Sequence, residues 1–338
     1  MADKQGILRI GLIGAGFMGN MHAACYAQIE GVKLAAVTDS VRENAEKIAN
    51  SYGSRIFGEA EQLIESSDVD IIDVCLPTYL HPKYTLQALE VGKHVFCEKP
   101  IALTVEDGKN MVEAARRAGR RFMVGHVIRF WPEYRELKRF IDSCELGELK
   151  ALQLSRWTAY PHWSDWLTDP EKSGGPIIDL HIHDADTLIW LLGEPRGFHV
   201  RGTIDRVVVF YDYGLNGPDI VSAEGGFLPG PVPFRMAFRA VFEKGTLDYD
   251  STRETPASLL ICRKGAEAPE PWHFTPPREL RSTGDLGGNI SAIWPYLLEL
   301  EYFVDCVRQG KDPEVVTGDS AVAALELVLH EREALNPR

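Results

Sequence analysis

The sequence predicts an α/β protein: an N-terminal doubly wound parallel sheet over residues 1–126, then an α+β domain over residues 127–338 built on a mostly antiparallel open sheet. Three observations carry this. A β-branched run ends in a glycine-rich turn that opens a helix at once. Strand-like and helix-like patterns then alternate as far as Gly125. From Leu149 onward, short strands separated by Gly, Pro and Asn turns replace that alternation.

The first strand, Leu8-Arg-Ile-Gly-Leu-Ile, runs into Gly14-x-Gly16-x-x-Gly19. Gly14 permits the tight turn, Gly16 lets the backbone approach a pyrophosphate, and Gly19 allows close helix–strand packing. Phe17 and Met18 lie in the same turn, and a helix over 21–28 follows, whose N-terminus offers N–H groups and a positive dipole end to phosphates. The second strand, 32–38, ends at Asp39, where a dinucleotide fold holds the acid that bonds the adenosine ribose hydroxyls. Asp39 also reads as the N-cap of a helix over 41–52, whose Ala45, Ile48, Ala49 and Tyr52 recur at helical spacing. Both roles stand open. A carboxylate here repels a 2′-phosphate, so NAD is expected over NADP, with Ser40 and Arg42 placed to soften that preference.

The alternation continues with a strand over 70–76 stopped by Pro77, a helix over 81–91, and a short strand over 94–97 leading into Glu98-Lys99-Pro100. Thr104-x-x-Asp107 is a capping box for a helix reaching Ala118, with Gly119 as its stop, and 122–125 is one more strand. Ligands of such sheets sit at the carboxyl ends of the strands. That places Gly14–Gly19, Asp39, Leu76-Pro77-Thr78 and Glu98-Lys99-Pro100 along one edge. A helix over 132–144, closed by Gly147, precedes strands over 149–158, 197–213, 220–227, 234–242, 246–249 and 258–263, with one helical interruption over 175–192. Pro295 opens a further helix that Gly310 ends. Asp319 caps the last, which is expected to pack back on the first domain.

At 338 residues, 45% hydrophobic and 25% charged, the chain holds two domains of ordinary size with a sizeable core. Lys and Arg number 36 against 49 Asp and Glu, and the resulting net charge of −13 argues against a general nucleic-acid or anionic-membrane binder. Cys25, Cys75, Cys97, Cys144, Cys262 and Cys306 form no C-x-x-C pair and read as buried free thiols of a reducing compartment. The N-terminus runs straight into the first strand, leaving no room for a signal peptide, and no apolar run reaches membrane-spanning length. Arg116-Arg117 and Arg120-Arg121 lie too deep in the chain for an export signal and read as a helix end. A cytoplasmic location is expected.

The glycine loop, Glu98-Lys99-Pro100, and Gly174-Gly175-Pro-Ile-Ile-Asp179-Leu-His-Ile-His183-Asp-Ala-Asp186 occur in this order. Together they resemble the glucose–fructose oxidoreductase/inositol dehydrogenase (Gfo/Idh/MocA) family of NAD(P)-dependent oxidoreductases. Leu76-Pro77-Thr78-x-x-His81 and Val124-Gly-His-Val-Ile-Arg129-Phe130 add to the likeness, which covers essentially the whole chain. The resemblance implies a Rossmann domain, a catalytic set of Lys99, Asp179 and His183, and a cofactor edge made by Gly14, Gly16, Phe17, Met18, Gly19, Asp39, Leu76, Pro77, Thr78, His81, Glu98 and Lys99. Arg129 joins Lys99, Asp179, His183, His162 and Trp163 as a substrate-pocket candidate.

The residue chemistry fits those roles. An ammonium at Lys99 can hydrogen-bond a substrate hydroxyl and stabilise charge as its proton leaves; its other reading is a surface lysine paired with Glu98. Asp179, His183 and Asp186 fall at i, i+4 and i+7 and would share a narrow stripe of one helix. An imidazole exchanges protons near neutral pH, and a carboxylate one turn away fixes its tautomer. His181 stands where a glycine is usual in the family, either lining the pocket from a distorted first turn or packing elsewhere. His181, His183, Asp184 and Asp186 point around the whole helix, so no metal is expected. Trp157, Tyr160, His162, Trp163, Asp165 and Trp166 precede that helix; the aromatic faces stack on sugars or cyclitols while His162 and Asp165 bond hydroxyls, or equally the aromatics pack a domain junction or subunit interface.

The expected activity is hydride transfer between NAD and a secondary hydroxyl of a sugar, sugar acid or inositol. The alternatives are a non-catalytic dinucleotide-sensing regulator or an NAD-dependent glycosidase on the same fold. By analogy, a homodimer or homotetramer through the C-terminal sheet is expected.

Overall fold

The structure, a computed structural model, describes residues 6–162, 164–280 and 293–335. The chain begins with β1 (Leu8–Ile13), α1 (Phe17–Tyr26), β2 (Val32–Thr38), α2 (Arg42–Tyr52), β3 (Arg55–Ile56), α3 (Ala60–Glu65), β4 (Ile71–Val74), α4 (His81–Glu90), β5 (His94–Glu98), α5 (Val105–Ala118) and β6 (Phe122–Gly125). These strands form one parallel sheet in the order β3-β2-β1-β4-β5-β6. Strand order reverses between β1 and β4, the position where open α/β sheets hold ligands beyond their carboxyl ends. Buried on both faces, the inner strands are nearly continuous apolar runs: Ile10, Leu12, Ile72, Val74, Val95 and Phe96 are fully enclosed. Thr104 accepts the Asp107 N–H at 3.1 Å, and Gly119 takes the left-handed conformation that ends α5, as the capping pattern predicts.

There follow α6 (Pro132–Ser143), β7 (Leu149–Ala159), four helical pieces α7 (Asp165–Thr168), α8 (Pro170–Ser173), α9 (Pro176–Asp179) and α10 (Ile182–Leu192), then β8 (Gly197–Thr203), β9 (Arg206–Asp212), β10 (Ile220–Leu228), β11 (Arg235–Phe242), β12 (Gly245–Asp250), β13 (Leu259–Arg263) and β14 (Glu270–Trp272). The eight strands pair in the order β14-β13-β12-β11-β7-β10-β9-β8. Every pair is antiparallel except β7 with β10. That exception follows from the helical crossover and the β8–β9 hairpin lying between the two in the chain. α11 (Ile293–Gln309) and α12 (Gly318–Ala334) complete the chain.

Several boundaries differ from the sequence reading. The span 197–213 is a hairpin, because Thr203 pairs with Arg206 across a two-residue turn. α1 starts straight after Gly16 rather than at Met21. α6 ends on Cys144, which adopts φ +51° itself, so Gly147 lies beyond the stop. Of the cysteines expected to be buried, Cys144 is exposed and Cys75 and Cys262 are half-buried, while all six are free thiols.

The chain divides into two compact units, Met1–Phe130 with Pro277–Val322, and Trp131–Pro276 with Ala323–Arg338. α11 thus clusters with the first unit, although it follows the second sheet in sequence. Its cause lies in α1, where Met21, Ala23, Ala24, Cys25 and Tyr26 are all buried and need cover; Leu297, Leu300, Phe303 and Val304 of α11 supply the apolar partner. Among the described residues no helix is long and apolar enough to cross a membrane.

Candidate active site

The glycine loop is made by close approach. A Cβ on Gly14, whose φ is +96°, would lie 2.2 Å from the Cys75 carbonyl oxygen, and one on Gly19 would lie 2.0 Å from that of Gly14. A Cβ on Gly16 would meet nothing within 4 Å. Gly14 and Gly19 therefore serve packing, and Gly16 keeps open the space a phosphate needs. α1 begins here with no side-chain cap and no acidic residue in its first turn, leaving its positive end to an anion. Phe17 is exposed and Met18 half-buried on the same turn.

Asp39 is half-buried at the end of β2. Its Oδ2 accepts the Ala15 N–H at 2.6 Å and its Oδ1 the Val41 N–H at 2.7 Å. The N-cap of α2 is Val41, so Asp39 braces the glycine loop and the turn ahead of α2 instead of capping that helix. A carboxylate still has lone pairs left for ribose hydroxyls. Arg42 is engaged by Glu46 at 2.8 Å.

Leu76 and Pro77 are half-buried in the loop after β4, and Thr78 is fully buried. Among the described residues no hydrogen-bond partner meets Thr78 Oγ1, an orphan hydroxyl in the loop that crowds Gly14. Open space at Gly16, an uncapped helix start and this hydroxyl fit a dinucleotide along the edge.

At the end of β5, Glu98 Oε2 accepts the backbone N–H of Lys99 at 3.1 Å, and Lys99 itself is half-buried. The Lys99–Pro100 peptide is cis. His81 is fully buried, with Nε2 2.7 Å from the Leu76 carbonyl oxygen and Nδ1 2.7 Å from that of Pro100. Burial lowers its pKa, and the two carbonyls only partly offset that. The ring thus lies between the loop after β4 and the loop after β5, able when neutral to donate to one of the two carbonyls.

In the second unit the helix predicted over 175–192 is broken. Asp179 ends α9, and His181 precedes α10. The His181 N–H reaches back to the Pro176 carbonyl and the His183 N–H to that of Leu180, so the regular ladder fails between them. The reason is the seat of His181. Its ring is buried, with Nε2 3.1 Å from both the Tyr211 hydroxyl and Glu331 Oε2, while Tyr211 donates to Glu331 Oε1 at 2.8 Å. Burial alone would lower the His181 pKa; Glu331 and, more weakly, Asp184 outweigh it and hold it above the ordinary value.

Asp184 takes the fork of the buried Arg156, at 2.9 and 3.1 Å. Asp186 is also fully buried. Among the titratable groups of 179–186, only Asp179 and His183 are left half-exposed, and they do not share one continuous helix.

His162 is exposed, its ring tilted against Tyr160 at 5.4 Å. Trp163 lies outside the described residues. Arg129 is 4% exposed and donates through Nη1 to the Val315 carbonyl at 2.7 Å, which ties it to the segment ahead of α12. The sequence reading passed over His22, Asp73, Arg156, Tyr211 and Glu331. A lone acid inside the apolar strand Ile71-Ile72-Asp73-Val74 is the one signal that could have raised a question, since a buried charge requires a partner.

Comparison with known proteins settles the family. Residues 8–126 match the model described as an oxidoreductase family with an NAD-binding Rossmann fold, and residues 134–215 match the GFO/IDH/MocA C-terminal domain. An inositol 2-dehydrogenase of Pseudomonas savastanoi pv. phaseolicola is 35% identical over 331 residues, 94% of this chain and 92% of that one. The chain belongs to the GFO/IDH/MocA oxidoreductase family.

Other members match over less of their length: D-glucoside 3-dehydrogenase of Escherichia coli is 32% identical over 192 residues, 56% of this chain and 55% of its own. The chain therefore spans about half the length of some of its curated GFO/IDH/MocA relatives. Among solved structures, levoglucosan dehydrogenase in complex with NADH and levoglucosan superposes with a TM-score of 0.82 at 20% identity over 96% of this chain and 97% of that one. The WlbA dehydrogenase of Bordetella pertussis, with NADH and UDP-GlcNAcA, gives 0.79 at 21% identity over 98% and 96%. These likenesses show the shared fold.

Proposed function

We propose that this chain is an NAD-dependent dehydrogenase acting on a secondary hydroxyl of a sugar, sugar acid or inositol. The observation that carries the reading is the selective exposure of titratable groups: Lys99, Asp179 and His183 stay partly open to solvent, while His81, His181 and Asp184 are buried. When bound, NAD supplies the hydride acceptor.

The chain supplies position and charge. His183 accepts the hydroxyl proton, with Asp179 steadying the imidazolium that results. Lys99 hydrogen-bonds a substrate hydroxyl and stabilises the negative charge that develops as its proton leaves. Arg129, His162 and Trp163 stand as substrate-pocket candidates. The nearly end-to-end likeness to an inositol 2-dehydrogenase favours polyols and cyclitols as the first compounds to try.

The test is appearance of reduced nicotinamide when the protein is mixed with NAD and a panel of inositols, aldoses and sugar acids. Net reduction with one of them is expected. Cofactor binding without net reduction on any of them, or on the keto forms in reverse, would replace this reading with a sensor or a glycosidase.

Two finer points belong to the same proposal. Free thiols at all six cysteines fit a cytoplasmic location. Phe210 and Ile220, exposed on neighbouring strands β9 and β10, fit self-association through that sheet as a homodimer or homotetramer, which light scattering would measure.

A further inference from the structure

His22 lies on α1 and is fully buried, with an acid at each ring nitrogen. Nδ1 is 2.9 Å from Asp73 Oδ2 on β4, and Nε2 is 3.1 Å from Glu98 Oε1 at the end of β5. Cys75 Sγ approaches Nδ1 at 3.2 Å, and the edge of Phe96 packs on the ring. Cys25 and Tyr26 of α1 and Tyr296 and Glu299 of α11 face the same cluster. Two carboxylates beside one imidazole, one hydrogen-bonded to Nδ1 and one at ion-pair distance from Nε2, favour its charged form. Burial opposes that charge, yet the Asp73 carboxylate hydrogen-bonded to Nδ1 favours it, and the His22 pKa lies well above its ordinary value. The ligand atoms of His22, Asp73 and Cys75 are also near enough for a metal ion, but a nitrogen and an oxygen 2.9 Å apart are at hydrogen-bond distance, and burial pushes the Cys75 thiol up, away from the thiolate a metal would need.

The cluster leads to the active site through one residue. Glu98 is met at both ends: its Oε1 lies at ion-pair distance, 3.1 Å, from His22 Nε2, and its Oε2 accepts the backbone N–H of Lys99. We propose that His22 is a positioning residue for Lys99: acting through Glu98, it fixes the backbone from which the lysine ammonium meets the substrate hydroxyl. This rests on the reading of Lys99 as a catalytic residue. Without His22, the Glu98 carboxylate loses its buried counter-charge and turns away from the Lys99 N–H, and the ammonium loses its place.

A double-mutant cycle on the full chain tests this, with His22→Gln, Lys99→Ala and the pair, read as kcat, KM and NADH affinity by nicotinamide fluorescence. His22→Gln is expected to lower kcat about tenfold with NADH affinity changed less than about twofold, and to have almost no further effect in the Lys99→Ala background. Equal losses in both backgrounds, or NADH affinity falling in step with kcat, would show that His22 only supports the fold, and overturn the proposal. Wild-type turnover by Lys99→Ala would instead remove the catalytic reading of Lys99, and this inference with it. Glu98→Gln, which keeps an acceptor for the Lys99 N–H, provides the same cycle if His22→Gln does not fold; additive losses there overturn the proposal equally.

Discussion

The imidazole of His181 lies 3.1 Å from Glu331 Oε2, joining the start of α10 to the far end of α12 within one buried cluster. The raised His181 pKa makes this contact a source of pH-dependent stability. A group whose folded pKa exceeds its unfolded value contributes fully below the unfolded value, here 6.5, and loses that contribution as pH rises through the folded one. Glu331→Gln is therefore expected to destabilise the protein by about 3 kcal/mol in mildly acidic buffer, with a smaller deficit in alkaline buffer. Thermal melts of both proteins across that range measure it; a deficit independent of pH would remove His181 as its source.

The glycine loop separates fold from function within one motif. Gly16→Ala has open space for its methyl group, so its melting temperature is expected to match the parent while NADH affinity falls roughly tenfold or more. Gly19→Ala drives a Cβ against the Gly14 carbonyl and is expected to lose about 2 kcal/mol or more as well as binding. Differential scanning fluorimetry with and without NADH distinguishes the two. Equal stability loss in both would contradict the geometry.

Asp39 is expected to make NADH the tighter ligand by about tenfold over NADPH, since its carboxylate opposes a 2′-phosphate. Asp39→Ala should narrow that ratio and weaken both ligands, because the Ala15 N–H loses its acceptor at 2.6 Å. Paired titrations with the two cofactors give the answer, and a parent that prefers NADPH would refute the assignment.

Lys99→Ala and His183→Ala are each expected to lower kcat by about 10²-fold or more on the identified substrate, with NADH affinity little changed. Steady-state kinetics and fluorescence titration read the two quantities separately. Parent-level turnover by either variant would sink that residue's role.

Much of the first sheet could be read from sequence because its strands are punctuated by residues with one physical use: Gly14 at positive φ, the Thr104 cap and the Gly119 stop. Such signals are local. The break between Asp179 and His183 is not, because it depends on where the His181 ring goes, and its partners Tyr211 and Glu331 are remote in the chain. The hairpin inside 197–213 escaped for another reason: its turn, Ile204-Asp205, has neither a glycine nor a proline to announce it. Asp39 was half legible. Its position at the end of β2 follows from spacing, but its hold on the Ala15 N–H arises only once β1 and β2 are paired.

The inner face of α10 carries Asp184 on Arg156, and the turn ahead of it carries His181 on Glu331. A helix seated only by apolar side chains can slide by about one turn and exchange one greasy contact for another. Here such a slip would strand charged side chains in the interior without their counterparts, an outcome far costlier than any loss of apolar fit. These ion pairs therefore work as an index pin, admitting a single register for the helix that bears His183.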